Sequence, residues 1–251
     1  MNRSLAKLNL NINRAFIPGA ITIGNIYCGF LSIVYSMEGN FVVASWLIVL
    51  AAVFDALDGS VARLTKSYSK LGIELDSLSD VVSFGVAPSI LLYSVYFNRI
   101  NNIGVLISFV PLFFGAIRLA RFNTNQDSFE KKEYTGLPIP TQAVAIASFV
   151  VFTHHFWGGL HFTKLLAPMV IFLGILMISN VEYDTFPKFN LKRGWKNDIK
   201  LFFFIVFSLG FMLFPSEAIF PIAVFFILHG VARSVLHTLK HADDILDVTD
   251  Y

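Results

Sequence analysis

A single cysteine, Cys28, is the only thiol among the 251 residues, and it lies inside an apolar run. It can form neither an intramolecular disulfide nor a multi-thiolate metal site, and it reads as a small packing residue. Charge is scarce as well: 14% of the residues are Asp, Glu, Lys or Arg, against about 25% in a water-soluble domain. Long polar stretches are missing except at 123–137 and 182–199, and there is no low-complexity tract, clear internal repeat or soluble domain. A cleaved signal peptide is not expected, because no small-residue cleavage site follows the first apolar run and Pro18 opens a run of full spanning length. What is present is apolar. Hydrophobic residues make up 55% of the chain, 27 of them phenylalanine, and the mean hydropathy is +0.66.

A membrane-spanning helix needs about 20 mostly apolar residues. Eight runs qualify, at 18–37, 41–63, 72–97, 103–121, 138–158, 164–181, 199–214 and 217–236, the seventh being the shortest. The segments between them include Glu38-Gly39-Asn40, Asn98 to Asn102, Trp157-Gly158-Gly159 and Phe214-Pro215-Ser216, which read as tight turns that force neighbouring helices antiparallel. The expected fold is therefore all-α and polytopic, with about eight transmembrane helices. Residues 1–16 place Leu5, Leu8, Ile12 and Phe16 at near-helical spacing among Arg3, Lys7 and Arg14, the pattern of a short interfacial helix; residues 17–251 form one transmembrane domain.

The net charge of +2 hides a strong asymmetry. With a cytoplasmic N-terminus, seventeen of the nineteen Lys and Arg residues fall on the cytoplasmic side, and only Arg99 and Lys164 fall on the other. That bias predicts an even number of spans and both termini in the cytoplasm.

Ionised side chains within apolar helices are costly, so each one asks for a function. Asp55 and Asp58 end the second run directly after Trp46 to Phe54, and Asp76 and Asp80 begin the third, followed at once by Val81-Val82. Spacings of three and four put each pair on one helix face, and the short connection at 64–71 makes the two helices antiparallel, so the pairs can face one another. Four converging carboxylates repel unless a cation lies between them. Their hard oxygens suit Mg²⁺, Mn²⁺ or Ca²⁺, while the thiolate and imidazole sets expected for zinc are missing. Taken singly, each aspartate could equally cap a helix or pair with Arg63 or Lys66. Gly59, Ala62 and Gly72 clear space beside the carboxylates for a planar base or a diphosphate, unless they serve close helix packing instead. Arg63 offers a planar fork for phosphate oxygens.

Read in full, Asp55-Ala-Leu-Asp58-Gly59-Ser-Val-Ala62-Arg63, then Gly72, Asp76 and Asp80 at their offsets, resembles the signature of the CDP-alcohol phosphatidyltransferases at all eight fixed positions. Within that family the chain is most similar to the bacterial and archaeal membrane-bound phosphatidylserine synthases. The stretches that carry this are Thr22-Ile-Gly-Asn25-Ile-Tyr-Cys28-Gly29-Phe30, Asp76 to Pro88, Arg118-Leu-Ala-Arg121-Phe122-Asn123 and Gly136-Leu-Pro138-Ile-Pro140; beyond about residue 140 only hydropathy matches.

The resemblance implies a six-helix core over about 17–185; the two extra helices over about 199–236 rest on hydropathy alone. It implies that Asp55, Asp58, Asp76 and Asp80 surround one or two divalent ions, Mg²⁺ or Mn²⁺, with Asp80 also the general base. Gly59, Ala62, Arg63 and Gly72 would line the CDP site, with Thr22 and Asn25 contributing from the first span. Arg118 and Arg121, three residues apart, would meet serine's carboxylate or the lipid phosphate, or else serve as ordinary positive-inside anchors. The substrates implied are CDP-diacylglycerol and L-serine in an inner membrane, acted on by a homodimer whose site faces the cytoplasm. No nucleic-acid partner is expected.

Three readings stay open from the residues alone. The acceptor could be glycerol 3-phosphate or inositol phosphate, since Lys66, Lys70, Lys131 and Lys132 could supply a basic cluster. The donor could be an archaeal-type ether lipid. A cation transporter would also place acids in the membrane, although usually near the midplane and in broken helices. His154, His155 and His161 cluster at the far surface and read as interfacial residues; the C-terminal Asp243, Asp244, Asp247 and Asp250 have no assignable chemistry.

Overall fold

The computed structural model describes residues 2–65, 70–125, 136–181, 183 and 213–249, and every regular element among them is a helix. Helix α1 runs from Asn2 to Met37 and α2 from Phe41 to Thr65. The segment expected to be interfacial is thus helical and continuous with the first span through Pro18. Between α1 and α2, Gly39 adopts a φ of 82°, the left-handed conformation that glycine enters without penalty. The amide of Asn40 bonds Tyr35 O at 2.9 Å and that of Gly39 bonds Ser36 O at 3.3 Å, so the last carbonyls of α1 are satisfied by a Schellman turn. Asn40 then accepts from the amide of Ala44 at 3.0 Å and opens α2.

The third span has three parts: α3 from Lys70 to Asp80, a π-helical segment from Val81 to Val86, and α4 from Ala87 to Val95. The chain turns back through Phe97–Arg99 into α5, Asn101–Asn125. Helix α6 covers Ile139–Trp157 and ends on Gly158, whose φ of 68° caps it; α7 covers Thr163–Ile178 and α8 Pro215–Thr249.

Six helical stretches among the described residues are long and apolar enough to cross a membrane: Gly19–Met37, Phe41–Leu64, Leu71–Val95, Asn101–Thr124, Ile139–Trp157 and Pro215–Leu236. They coincide with six of the eight expected runs, and the chain is a polytopic membrane protein. The run at 164–181 is α7, whose 16 residues make it a shorter apolar helix, about 24 Å long at 1.5 Å per residue. The run at 199–214 lies, but for its last two residues, outside the described residues.

Helix α6 sits at the centre, buried along most of its length and packed on α2 and α8. Helix α1 lies against α2 and against all three parts of the third span, and α5 bridges that span to α7. Large apolar side chains such as Phe30, Leu106, Phe109 and Leu228 remain half exposed, as they should where the solvent is lipid. At the end bearing the α1–α2 turn, His155 Nε2 lies 3.3 Å from Glu217 Oε1 and the His161 ring stacks on Trp157, so His155 and His161 lie at the opposite end of the bundle from the aspartates.

Candidate active site

Asp55 ends the apolar stretch of α2, and Asp76 and Asp80 lie one turn apart on α3. The antiparallel packing brings one carboxylate oxygen from each within 4.8 Å of the other two. Oδ1 of Asp76 and Oδ1 of Asp80 are buried and have no hydrogen-bond partner among the described residues. Unpartnered carboxylate oxygens so close together repel, and burial removes the water that would screen them. The arrangement fits a hard divalent cation: three carboxylate oxygens converge, and among the described residues no thiol or imidazole joins the group.

Asp58 takes a different position. It is one turn further along α2, 5% exposed, and its Oδ2 accepts a 3.0 Å hydrogen bond from the Thr22 hydroxyl of α1. Of the four aspartates expected to surround metal, the structure gathers three as a group and ties the fourth to α1.

Two serines of the third span hold α1 against the cluster. Ser79 Oγ donates to Thr22 O at 3.4 Å, and Ser83 Oγ donates to Asn25 O at 3.0 Å. The approach is so close that a Cβ on Gly29 would lie 2.8 Å from Ser83 Cα, nearer than real Cβ atoms come to backbone. Ser83 belongs to the π segment that starts directly after Asp80. Ser79 before it and Ser83 within it both address α1, while Asp76 and Asp80 share the face that meets Asp55 of α2. Asn25 is fully buried and both polar atoms of its amide lack a partner among the described residues.

Helix α5 lies antiparallel to the third span. A Cβ on Gly85 would lie 3.0 Å from Leu112 Cδ1, and Asn123 Nδ2 donates to Ser77 Oγ at 3.2 Å. Between these two contacts Arg118 falls at the level of Asp80. Its Nη1 donates to Met177 O at 3.2 Å; Arg121 Nη1 donates to Ile178 O at 3.3 Å and its Nη2 to Asn180 Oδ1 at 3.4 Å. Both arginines thus serve the C-terminus of α7, where terminal carbonyls and the helix dipole favour a cation.

The family model of the CDP-alcohol phosphatidyltransferases matches residues 15–181, which contain the whole cluster. The chain belongs to that family. It is accordingly a phosphotransferase of phospholipid biosynthesis. Among curated relatives, it is 38% identical over 226 residues to the CDP-diacylglycerol–serine O-phosphatidyltransferase of Helicobacter pylori, covering 89% of this chain and 92% of the relative. It is 41% identical over 171 residues to the archaetidylserine synthase of Methanothermobacter thermautotrophicus, covering 66% and 69%. It is 35% identical over 182 residues to the CDP-diacylglycerol–serine O-phosphatidyltransferase of Bacillus subtilis, covering 71% and 97%.

Of the residues expected at the CDP site, Gly59, Ala62 and Arg63 lie along the last turns of α2, Gly72 on α3, and Thr22 and Asn25 on α1. Among the described residues, a Cβ on Gly59 would meet only the Arg63 guanidinium, 3.5 Å from its Nη1, so their packing leaves space there. Arg63 is exposed and its Nη2 donates to Ser60 Oγ at 3.2 Å, which holds the guanidinium beside that space; Ala62 on α2 and Gly72 on α3 are partly buried. The hydroxyls of Ser79 and Ser83 are the functional groups that sequence reasoning missed. Their only signal was the run of serines around Asp80, which a membrane helix also uses to bond its own backbone.

Proposed function

We propose that the chain transfers the phosphatidyl group of CDP-diacylglycerol to the hydroxyl of L-serine, giving phosphatidylserine and CMP. The observation that carries this reading is the convergence of Asp55, Asp76 and Asp80 within 4.8 Å inside a family signature complete at every fixed position. The serine acceptor is supported by the named activities of relatives aligned over most of their length, among them the H. pylori enzyme over 92% of its chain. The archaeal relative's name, archaetidylserine synthase, supports an archaeal-type ether-lipid donor as a second reading of the lipid half.

Asp55, Asp76 and Asp80, with Asp58 beside them, would hold one or two divalent cations, Mg²⁺ or Mn²⁺. When bound, such an ion neutralises the diphosphate and the charge that grows on departing CMP. The residues of the chain do the rest. Gly59, Ala62 and Gly72 let the nucleotide lie against the helices, with Thr22 and Asn25 closing the site from α1, and Arg63 meets diphosphate oxygens with a planar fork. A carboxylate oxygen of Asp80 takes the proton of the serine hydroxyl as that oxygen attacks the phosphatidyl phosphorus. The new O–P bond forms in line with the P–O bond to CMP, which breaks and leaves its electron pair on the nucleotide's phosphate. Holding both reactants in this geometry supplies most of the acceleration. Arg118, level with Asp80 on α5, would meet the serine carboxylate, and Arg121, one turn on, the lipid phosphate.

The asymmetry of Lys and Arg supports an inner-membrane protein with the site and both termini on the cytoplasmic side, residues 1–16 on the leaflet surface, and CMP released into the cytoplasm. The family supports a homodimer. Purified protein incubated with CDP-diacylglycerol, Mn²⁺ and radiolabelled serine tests the reading: label must enter the lipid phase only when all three are present. Incorporation of glycerol 3-phosphate or inositol phosphate in place of serine would assign a different acceptor, and incorporation of none would remove the transferase reading of the site.

A further inference from the structure

Ser79 and Ser83 stand on either side of the point where the third span changes from α-helix to π-helix. Asp80 ends α3, and in the segment that follows the amide of Ala87 bonds Val82 O, five residues back instead of four. The wider turn interrupts the α-helical ladder, so the buried helix α4 beyond it does not by itself fix the rotation of α3 about its axis. That rotation has to be set from outside the span.

Helix α1 supplies the reference. Ser79 Oγ donates to Thr22 O at 3.4 Å and Ser83 Oγ to Asn25 O at 3.0 Å; both serines are fully buried and, four residues apart, share one face. Gly29 lets α1 come close enough for the second bond, since a Cβ there would lie 2.8 Å from Ser83 Cα. Thr22 also reaches Asp58 of α2 through its hydroxyl at 3.0 Å, so one helix locates the acids of both neighbours. Asp80 projects about 100° round the axis from Ser79, on the side that meets Asp55. Its Oδ1 has no hydrogen-bond partner among the described residues, so the aim of that oxygen follows the turn that carries it. A side-chain oxygen stands about 5–6 Å from a helix axis, and a rotation of about 10° therefore moves it by about 1 Å. An error of that size costs a reacting group up to about a hundredfold in rate.

We propose that Ser79 and Ser83 are positioning residues for Asp80: by bonding two carbonyls of α1 one turn apart, across the π junction, they fix the rotation of the acidic turn, and with it the aim of the base and its hold on the cation. Ser83, with the shorter bond, carries the larger part. This rests on the reading of Asp80 as base and cation ligand.

Two measurements on the purified full chain test it: steady-state kinetics in mixed micelles at saturating Mn²⁺, and electron paramagnetic resonance of Mn²⁺ binding without substrates. Ser83→Ala lowers kcat about tenfold and weakens Mn²⁺ binding about fivefold, while the KM values for serine and CDP-diacylglycerol stay within about twofold of wild type. Ser79→Ala, which removes the longer bond, lowers kcat about threefold and serves if Ser83→Ala does not fold. Ser89→Ala, which removes another buried hydroxyl of the same span beyond the junction, changes neither quantity. In an Asp80→Asn background Ser83→Ala adds nothing to the loss of kcat, because both changes act on one carboxylate. A kcat and a Mn²⁺ affinity unmoved by both serine variants, while Asp80→Asn lowers them, overturn the positioning role and leave the assignment of Asp80 standing. Equal losses from Ser83→Ala in the wild-type and Asp80→Asn backgrounds, or from Ser89→Ala, overturn it as well and reduce the serines to packing. Wild-type kcat and Mn²⁺ affinity in Asp80→Asn remove the assignment of Asp80 and this proposal together.

Discussion

Thr22 of α1 donates a 3.0 Å hydrogen bond to Asp58 Oδ2 of α2, and both residues are 5% exposed. A buried carboxylate deprived of such a donor loses a charge-assisted bond worth about 1.5–3 kcal/mol. Thr22→Val keeps the shape and removes the donor, so kcat/KM falls by about ten- to a hundredfold, while Thr22→Ser stays close to wild type. If Asp58 works beside the cation, the Mn²⁺ concentration for half-maximal activity also rises. Serine incorporation measured against Mn²⁺ for the three proteins checks both effects.

Gly29 faces Ser83 across the α1 interface with no space for a methyl group. The obstructing atoms include Ser83 Cα, which cannot swing away as a side chain would. Gly29→Ala therefore costs about 1–3 kcal/mol of overpacking and displaces the π segment that begins after Asp80. The expected outcome is a lower unfolding temperature in detergent together with reduced turnover. Ser83→Ala, which loses only the bond to Asn25 O, costs about 1 kcal/mol and is the milder of the two.

Asp80 carries the proposed proton transfer. Asp80→Asn keeps the size and the capacity to fold but cannot accept the proton, and kcat falls by about 10²–10⁴. Binding of CDP-diacylglycerol, read as protection of the protein against thermal unfolding, is retained only at raised Mn²⁺, because Asp80 also belongs to the cation cluster while Arg63 and the glycines are untouched.

The charge asymmetry makes a topological prediction. In a Cys28→Ser background, cysteines placed at Asn40 or Gly159 react with an impermeant thiol reagent added outside intact cells, and cysteines at Leu64 or Lys70 do not. The opposite pattern would put the site on the outer face.

Much of this was legible in the residues, for physical reasons. Hydropathy counts apolar residues, and six of the eight runs are helices of spanning length. The Glu38-Gly39-Asn40 turn reflects the freedom of glycine at positive φ. Asp55 with Asp58, and Asp76 with Asp80, could be placed on helix faces by spacing alone. Other features were not legible. Nothing in Val81 to Val86 marks a π turn, because periodicity cannot detect one added residue over so short a stretch. Ser79 and Ser83 could have bonded their own helix, and their reach to α1 backbone depends on a close approach known only in three dimensions. The spacing of Arg118 and Arg121 was plain, but their carbonyl partners at 177 and 178 come from another helix.

The central claim is that Asp55, Asp76 and Asp80 bind one shared cation on which turnover depends. Electron paramagnetic resonance of Mn²⁺ titrated with purified protein reads it directly, since bound Mn²⁺ loses its free-ion signal. Wild-type protein is predicted to remove Mn²⁺ from solution at a tight site that Asp55→Asn, Asp76→Asn and Asp80→Asn each weaken severely. A protein with all three substitutions that still bound Mn²⁺ as tightly as wild type would contradict the account.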